Sequence, residues 1–182
     1  MKALLIVDLQ NDFLPGGALP APEGNKIIPV INRIMVQFDL VIASRDWHPD
    51  NTTHFERWPP HCIRGTEGAA PPDSFHTGEL KQVFLKGTEN RDDGYSAFEA
   101  TSSNLDDYLK QHHVKQLFIA GLTTEYCIKE TVLDALKYGY QTYMVKDASA
   151  GVQAGQHDVD LALQEMQRAG AQIINSLQID LE

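Results

Sequence analysis

Short apolar runs recur along the chain at 3–7, 40–43, 82–85, 116–120, 142–145 and 172–174. They do not alternate with polar residues, so each reads as a strand buried on both faces. Between several of them the apolar spacing changes to helical, at 26–38, 103–112, 125–138 and 157–169. This alternation predicts an α/β domain with three layers, helix, sheet and helix, around a mostly parallel sheet of about six strands. A chain of 182 residues is enough for one such domain, and residues 1–182 are read as one. In sheets of this kind ligands bind beyond the carboxyl ends of the strands. The residues expected there carry chemistry: Asp8, Asp46, Lys86 and Cys127, with Asp147 and Ser149 as further candidates. Residues 45–78 are irregular and proline-rich, and a long aperiodic stretch inside a compact domain is expected to be functional.

Composition narrows the function. The net charge of −10 argues against a nucleic-acid partner or an anionic membrane surface, since little would neutralise phosphate. Two cysteines, Cys62 and Cys127, are too few for a disulfide framework. The first ten residues lack a signal-peptide cleavage region, and no apolar run approaches the roughly 20 residues that span a bilayer. The expectation is a cytoplasmic protein with reduced thiols.

Cys127 lies just past an apolar run, in "GLTTEYCIKET" (121–131), where a helix is expected to begin. Unpaired N–H groups and the helix dipole there favour a thiolate and can hold an oxyanion, the apparatus of acyl transfer. A cysteine so placed is otherwise a small buried hydrophobe. Asp8 and Lys86 are the groups at the same sheet edge that could take its proton, with more distant histidines as alternatives.

The stretch "SRDWHPDNTTHFERWPPHC" (44–62) holds Asp46, His48, His54 and His61. In extended chain, alternate residues share a side, so Asp46 and His48 can reach one ion, with His54 and His61 completing the set. Imidazole and carboxylate suit zinc, iron or manganese. Cys62 adjoins His61, but neighbours in extended chain diverge.

Five blocks carry a resemblance over essentially the whole chain: "LLIVDLQNDFLPGGAL" (4–19), "SRDWHPDNTTHF" (44–55), "WPPHC" (58–62), "KGTENRDDGYSAFE" (86–99) and "GLTTEYCIKET" (121–131). The sequence resembles the nicotinamidases, or pyrazinamidases, of the isochorismatase-like cysteine hydrolases, whose fold is Rossmann-like. The resemblance implies a catalytic triad of Asp8, Lys86 and Cys127, and an oxyanion hole from the backbone of Thr123 and Cys127. It implies one divalent metal ion, zinc first, with Asp46, His48 and His61 as ligands. His54 falls on a position that is a ligand in some members only. The Leu122–Thr123 bond matches one that is cis in relatives. Phe13, Trp58 and Tyr95 would line the substrate pocket. The implied reaction is hydrolysis of nicotinamide to nicotinate and ammonia through a thioester, as in NAD salvage, with pyrazinamide as a further substrate. A small-molecule substrate is the expected partner, and a homo-oligomer is left open. Two other readings stand beside it: an amidase of the same superfamily for a carbamoyl substrate, and a non-enzymatic zinc-stabilised redox module. A dinucleotide binder is excluded, because "DLQNDFLPGG" replaces the G-x-G-x-x-G turn after the first strand.

Overall fold

The computed structural model describes residues 1–152 and 156–181. Its strands are β1 (Lys2–Val7), β2 (Leu40–Asp46), β3 (Gln82–Lys86), β4 (Gln116–Leu122), β5 (Gln141–Ala150) and β6 (Gln172–Ile174). They form one sheet in the order β3-β2-β1-β4-β5-β6, with every pairing parallel. The helices are α1 (Gly24–Met35), α2 (Leu105–Gln111), α3 (Lys129–Lys137) and α4 (Gln156–Ala169).

The pleat sorts the apolar strands onto two cores. From β1, Leu4 and Ile6 join Ile27, Ile28, Ile31 and Ile34 of α1, while Ala3, Leu5 and Val7 face Leu105 and Leu109 of α2, Val132 of α3 and Met166 of α4. The result is the expected three-layer architecture. Among the described residues no helix is long and apolar enough to cross a membrane.

Four elements differ clearly from their sequence expectation. Strands β2 and β3 run on into Asp46 and Lys86, because the ladder continues after the side chains turn polar. Strand β5 extends to Ala150 through a register shift against β4 between Ile119 and Gly121. The helix expected from 125 begins instead as a π-helical turn, Thr124–Ile128, and α3 follows it.

The strand order reverses between β1 and β4, where the first half of the sheet meets the second, and a crevice opens there. Gly121 lets the two strands close at that point. Its φ is +118, and a Cβ there would lie 2.1 Å from the carbonyl oxygen of Val7. Residues 123–127 are thereby delivered beside Asp8, which follows β1 with φ 49.

Candidate active site

At this crevice lies a cleft of about 340 Å³ lined by Phe13, Trp58, Tyr95, Thr123, Cys127, Asp46, His54 and His61, among others. Asp8, Lys86 and Cys127 come from three different strand ends and converge; Cys127 lines the cleft, and Asp8 and Lys86 are fully buried. Lys86 is fully buried, with its ammonium 2.8 Å from Oδ2 of Asp8, 2.5 Å from Oδ1 of Asp46 and 3.5 Å from Sγ of Cys127. Its remaining bond, of 2.5 Å, goes to the carbonyl of Gly94. The Cys127 sulfur lies within 4.8 Å of carboxylate oxygens of both aspartates. Ser44 donates to Oδ1 of Asp8 at 2.8 Å, whereas Oδ2 is held by ion pairing with Lys86 and has no aligned hydrogen bond.

Burial dominates the electrostatics. Asp8 is raised from 3.8 to about 6 by desolvation, against the pull of Lys86. Burial alone would lower the Lys86 ammonium, but Asp46 and Asp8 raise it well above its ordinary range. Desolvation would raise Asp46, yet Lys86, His48 and His61 bring its carboxyl well below the usual range. The Cys127 thiol is pushed well above its ordinary value by burial, with Lys86 opposing and Asp8 adding to the rise. The pull of the helix terminus toward a thiolate is opposed here by burial. Burial favours the thiol over the thiolate, so the nucleophilicity of Cys127 depends on a base within reach.

The histidine loop folds back on β2. His48 and Ile63 form an isolated bridge, with the His48 N–H donating to the Cys62 carbonyl at 3.0 Å and the Arg64 N–H donating to the His48 carbonyl at 2.9 Å. His48, His54 and His61 are buried, and each places a ring nitrogen within 4.8 Å of the other two. Oδ2 of Asp46 lies 3.4 Å from Nε2 of His48 and 3.8 Å from Nε2 of His61. All three Nδ1 atoms are engaged on the outer side: His48 with the Gly87 carbonyl at 2.9 Å, His61 with the Pro59 carbonyl at 2.7 Å, and His54 with Asp92 at 2.7 Å. The inward Nε2 of His48 is buried with no hydrogen-bond partner. Three such imidazoles beside a carboxylate are a donor set that fits one divalent cation, and the orphaned nitrogen is what a cation would satisfy. His54 lies with His48 and His61 in this cluster.

Phe13 is buried 5.4 Å from the His61 ring, and Trp58 stands edge-on to Tyr126 at 4.9 Å. The Leu122–Thr123 bond is cis, and Thr123 lines the cleft next to Cys127. Asp147 and Ser149 stay apart, contrary to expectation. Strand β5 carries them past its predicted end, where Asp147 accepts from Ser176 at 2.7 and 2.6 Å and Ser149 donates to the Val145 carbonyl. Cys62 packs in the core on the α1 side, and its backbone N–H donates to Asp12 at 2.7 Å.

Sequence reasoning missed Leu19, Tyr126 and Val152 in the cleft wall, and Asp92 behind His54. Burial opposes ionisation of Asp92, but hydrogen bonds from Tyr95 and His54 hold its carboxyl below the ordinary value. Nothing in the run "ENRDDGY" distinguishes it from its neighbours.

A family model described as the isochorismatase domain matches residues 2–178. The nicotinamidase of Escherichia coli is 39% identical, over 93% of this chain and 92% of its own length. Among solved structures, a nicotinamidase pyrazinamidase from Acinetobacter baumanii superposes with a TM-score of 0.91 at 33% identity, covering 100% of this chain and 98% of that one. The pyrazinamidase of Pyrococcus horikoshii, solved in complex with zinc, gives 0.83 at 40% identity, with 96% and 98% covered. With its sheet order, its strand-end residues and a model match over nearly its full length, the chain belongs to the isochorismatase family.

Proposed function

We propose that this protein is a nicotinamidase, an amide hydrolase that converts nicotinamide to nicotinate and ammonia and also accepts pyrazinamide. The observation that carries the reading is the convergence of Cys127, Asp8 and Lys86 on a cleft that also holds the three-histidine, one-aspartate cluster. The names borne by its relatives support it.

Asp46, His48, His54 and His61 would hold a divalent ion, zinc first, which when bound supplies a Lewis-acid anchor for the ring nitrogen of the substrate. Phe13, Trp58 and Tyr95 enclose the ring and exclude water, which fixes the carboxamide over Cys127. Asp8 takes the thiol proton as the sulfur bonds to the amide carbon. The backbone N–H groups of Thr123 and Cys127 hold the developing oxyanion. Asp8 passes the proton to the amide nitrogen, the C–N bond breaks, and ammonia leaves a thioester on Cys127. Asp8 then draws a proton from water, the hydroxyl attacks the thioester carbon, and the C–S bond breaks. The proton returns to sulfur and nicotinate departs. Lys86 remains charged throughout and offsets whichever of its neighbours is anionic. The reaction would belong to cytoplasmic NAD salvage, carried out by one domain.

The test is ammonia release from nicotinamide by the wild type and by Cys127→Ala. The variant should release none above background; equal rates would end the thiol mechanism.

A further inference from the structure

The three histidines are not oriented by equivalent partners. His48 and His61 each give Nδ1 to a backbone carbonyl, which is fixed by the fold. His54 alone depends on a side chain, Asp92, whose side chain is 36% exposed. The same oxygen of Asp92, Oδ1, lies 2.7 Å from the Tyr95 hydroxyl, and that hydroxyl lies 2.9 Å from Nε1 of Trp58.

The hydrogen-bond directions along this chain are forced. An indole N–H only donates, so the Tyr95 oxygen accepts from Trp58. Its own proton is then free to go to Asp92. An ionised carboxylate only accepts, so the contact from His54 must be Nδ1–H donating. That fixes the neutral tautomer and leaves a lone pair on Nε2, the nitrogen available to the inward cluster. Arg57 sits 3.5 Å from the other oxygen, Oδ2, but is itself well exposed and adds little.

We infer that Asp92 is a positioning residue: one carboxylate oxygen sets the tautomer and aim of His54 and, through Tyr95, the pose of Trp58. The cation site and the aromatic wall of the cleft are thereby tied to a single acceptor. The inference rests on the metal reading above, and its test separates the two. Divalent affinity is read by titrating zinc against a chromophoric chelator, and the ligand field by the visible spectrum of the cobalt-loaded protein. Asp92→Ala should lose about 10–100-fold in zinc affinity, the usual cost of removing such an outer partner. Its cobalt spectrum should shift, while the unfolding temperature of the chelated protein stays at the wild-type value. Asp92→Asn keeps an acceptor oxygen and should regain part of that affinity. Tyr95→Phe should raise KM for nicotinamide more than it weakens zinc, since it frees Trp58 and leaves the His54–Asp92 bond in place. A wild type that binds no divalent ion overturns both the metal reading and this inference. Wild-type zinc binding matched by Asp92→Ala, or Asp92→Asn no tighter than Asp92→Ala, overturns the inference alone.

Discussion

Replacing Lys86 with methionine removes a buried ammonium and leaves a side chain of similar length. Two buried carboxylates lose their shared counter-ion, at 2.8 Å for Asp8 and 2.5 Å for Asp46. Even with Lys86 present, Asp8 is raised from 3.8 to about 6, so ionising it in the fold costs about 3 kcal/mol more than in water. Without Lys86 the strongest force lowering Asp8 and Asp46 is gone. An uncompensated charge of this kind destabilises a fold by about 3–5 kcal/mol. In a domain of this length each kcal/mol moves Tm by about 2–4 °C, so the fall should be roughly 6–20 °C. The loss depends on pH with a definite sign. Asp8 has a folded pKa above its unfolded value already and loses its strongest lowering partner, so its contribution is intact below about 4 and is lost as pH rises through the folded value. The Tm deficit of metal-free Lys86→Met should therefore be smaller at pH 5 than at pH 8. Thermal unfolding at both values, followed by circular dichroism with chelator present, is the assay. A deficit independent of pH would refute the electrostatic argument and leave only a packing defect. At pH 7 the variant should also be inactive, because Asp8 would keep its proton.

Three further outcomes are expected. In the wild type kcat/KM should fall about tenfold per pH unit below about pH 6, as Asp8 takes up the proton it must be free to accept; a profile flat to pH 5 would remove Asp8 as the base. Gly121→Ala should cost at least about 2 kcal/mol in denaturant unfolding and about 10²-fold in turnover, because a Cβ 2.1 Å from the Val7 carbonyl must push β4 and Cys127 away from β1; unchanged unfolding would deny the close approach. Chelation should abolish nicotinamide turnover while iodoacetamide still alkylates Cys127 at the same rate; full turnover by the chelated protein would remove the ion from the reaction.

Much of the site was legible because a parallel sheet converts chain position into location. Four polar residues after apolar runs, Asp8, Asp46, Lys86 and Cys127, had to reach the same edge, and they do. Strand ends were underestimated where hydropathy stops before the ladder does, at Asp46, Lys86 and Ala150. That error also explains Asp147 and Ser149, which were expected beyond β5 and lie within it. His54, left open by the resemblance, is brought beside His48 and His61 by the loop folding back through the bridge from His48 to Ile63.

The sequence by itself determined the alternation of strand and helix, the edge at which chemistry collects and the residue types available there, since these follow from periodicity and strand polarity. Only the tertiary structure decided the burial of Cys127, the pairing of Lys86 with two carboxylates and the partnership of Asp92 with His54. Desolvation and charge pairing are sums over neighbours distant in the chain, and no local window of residues contains them.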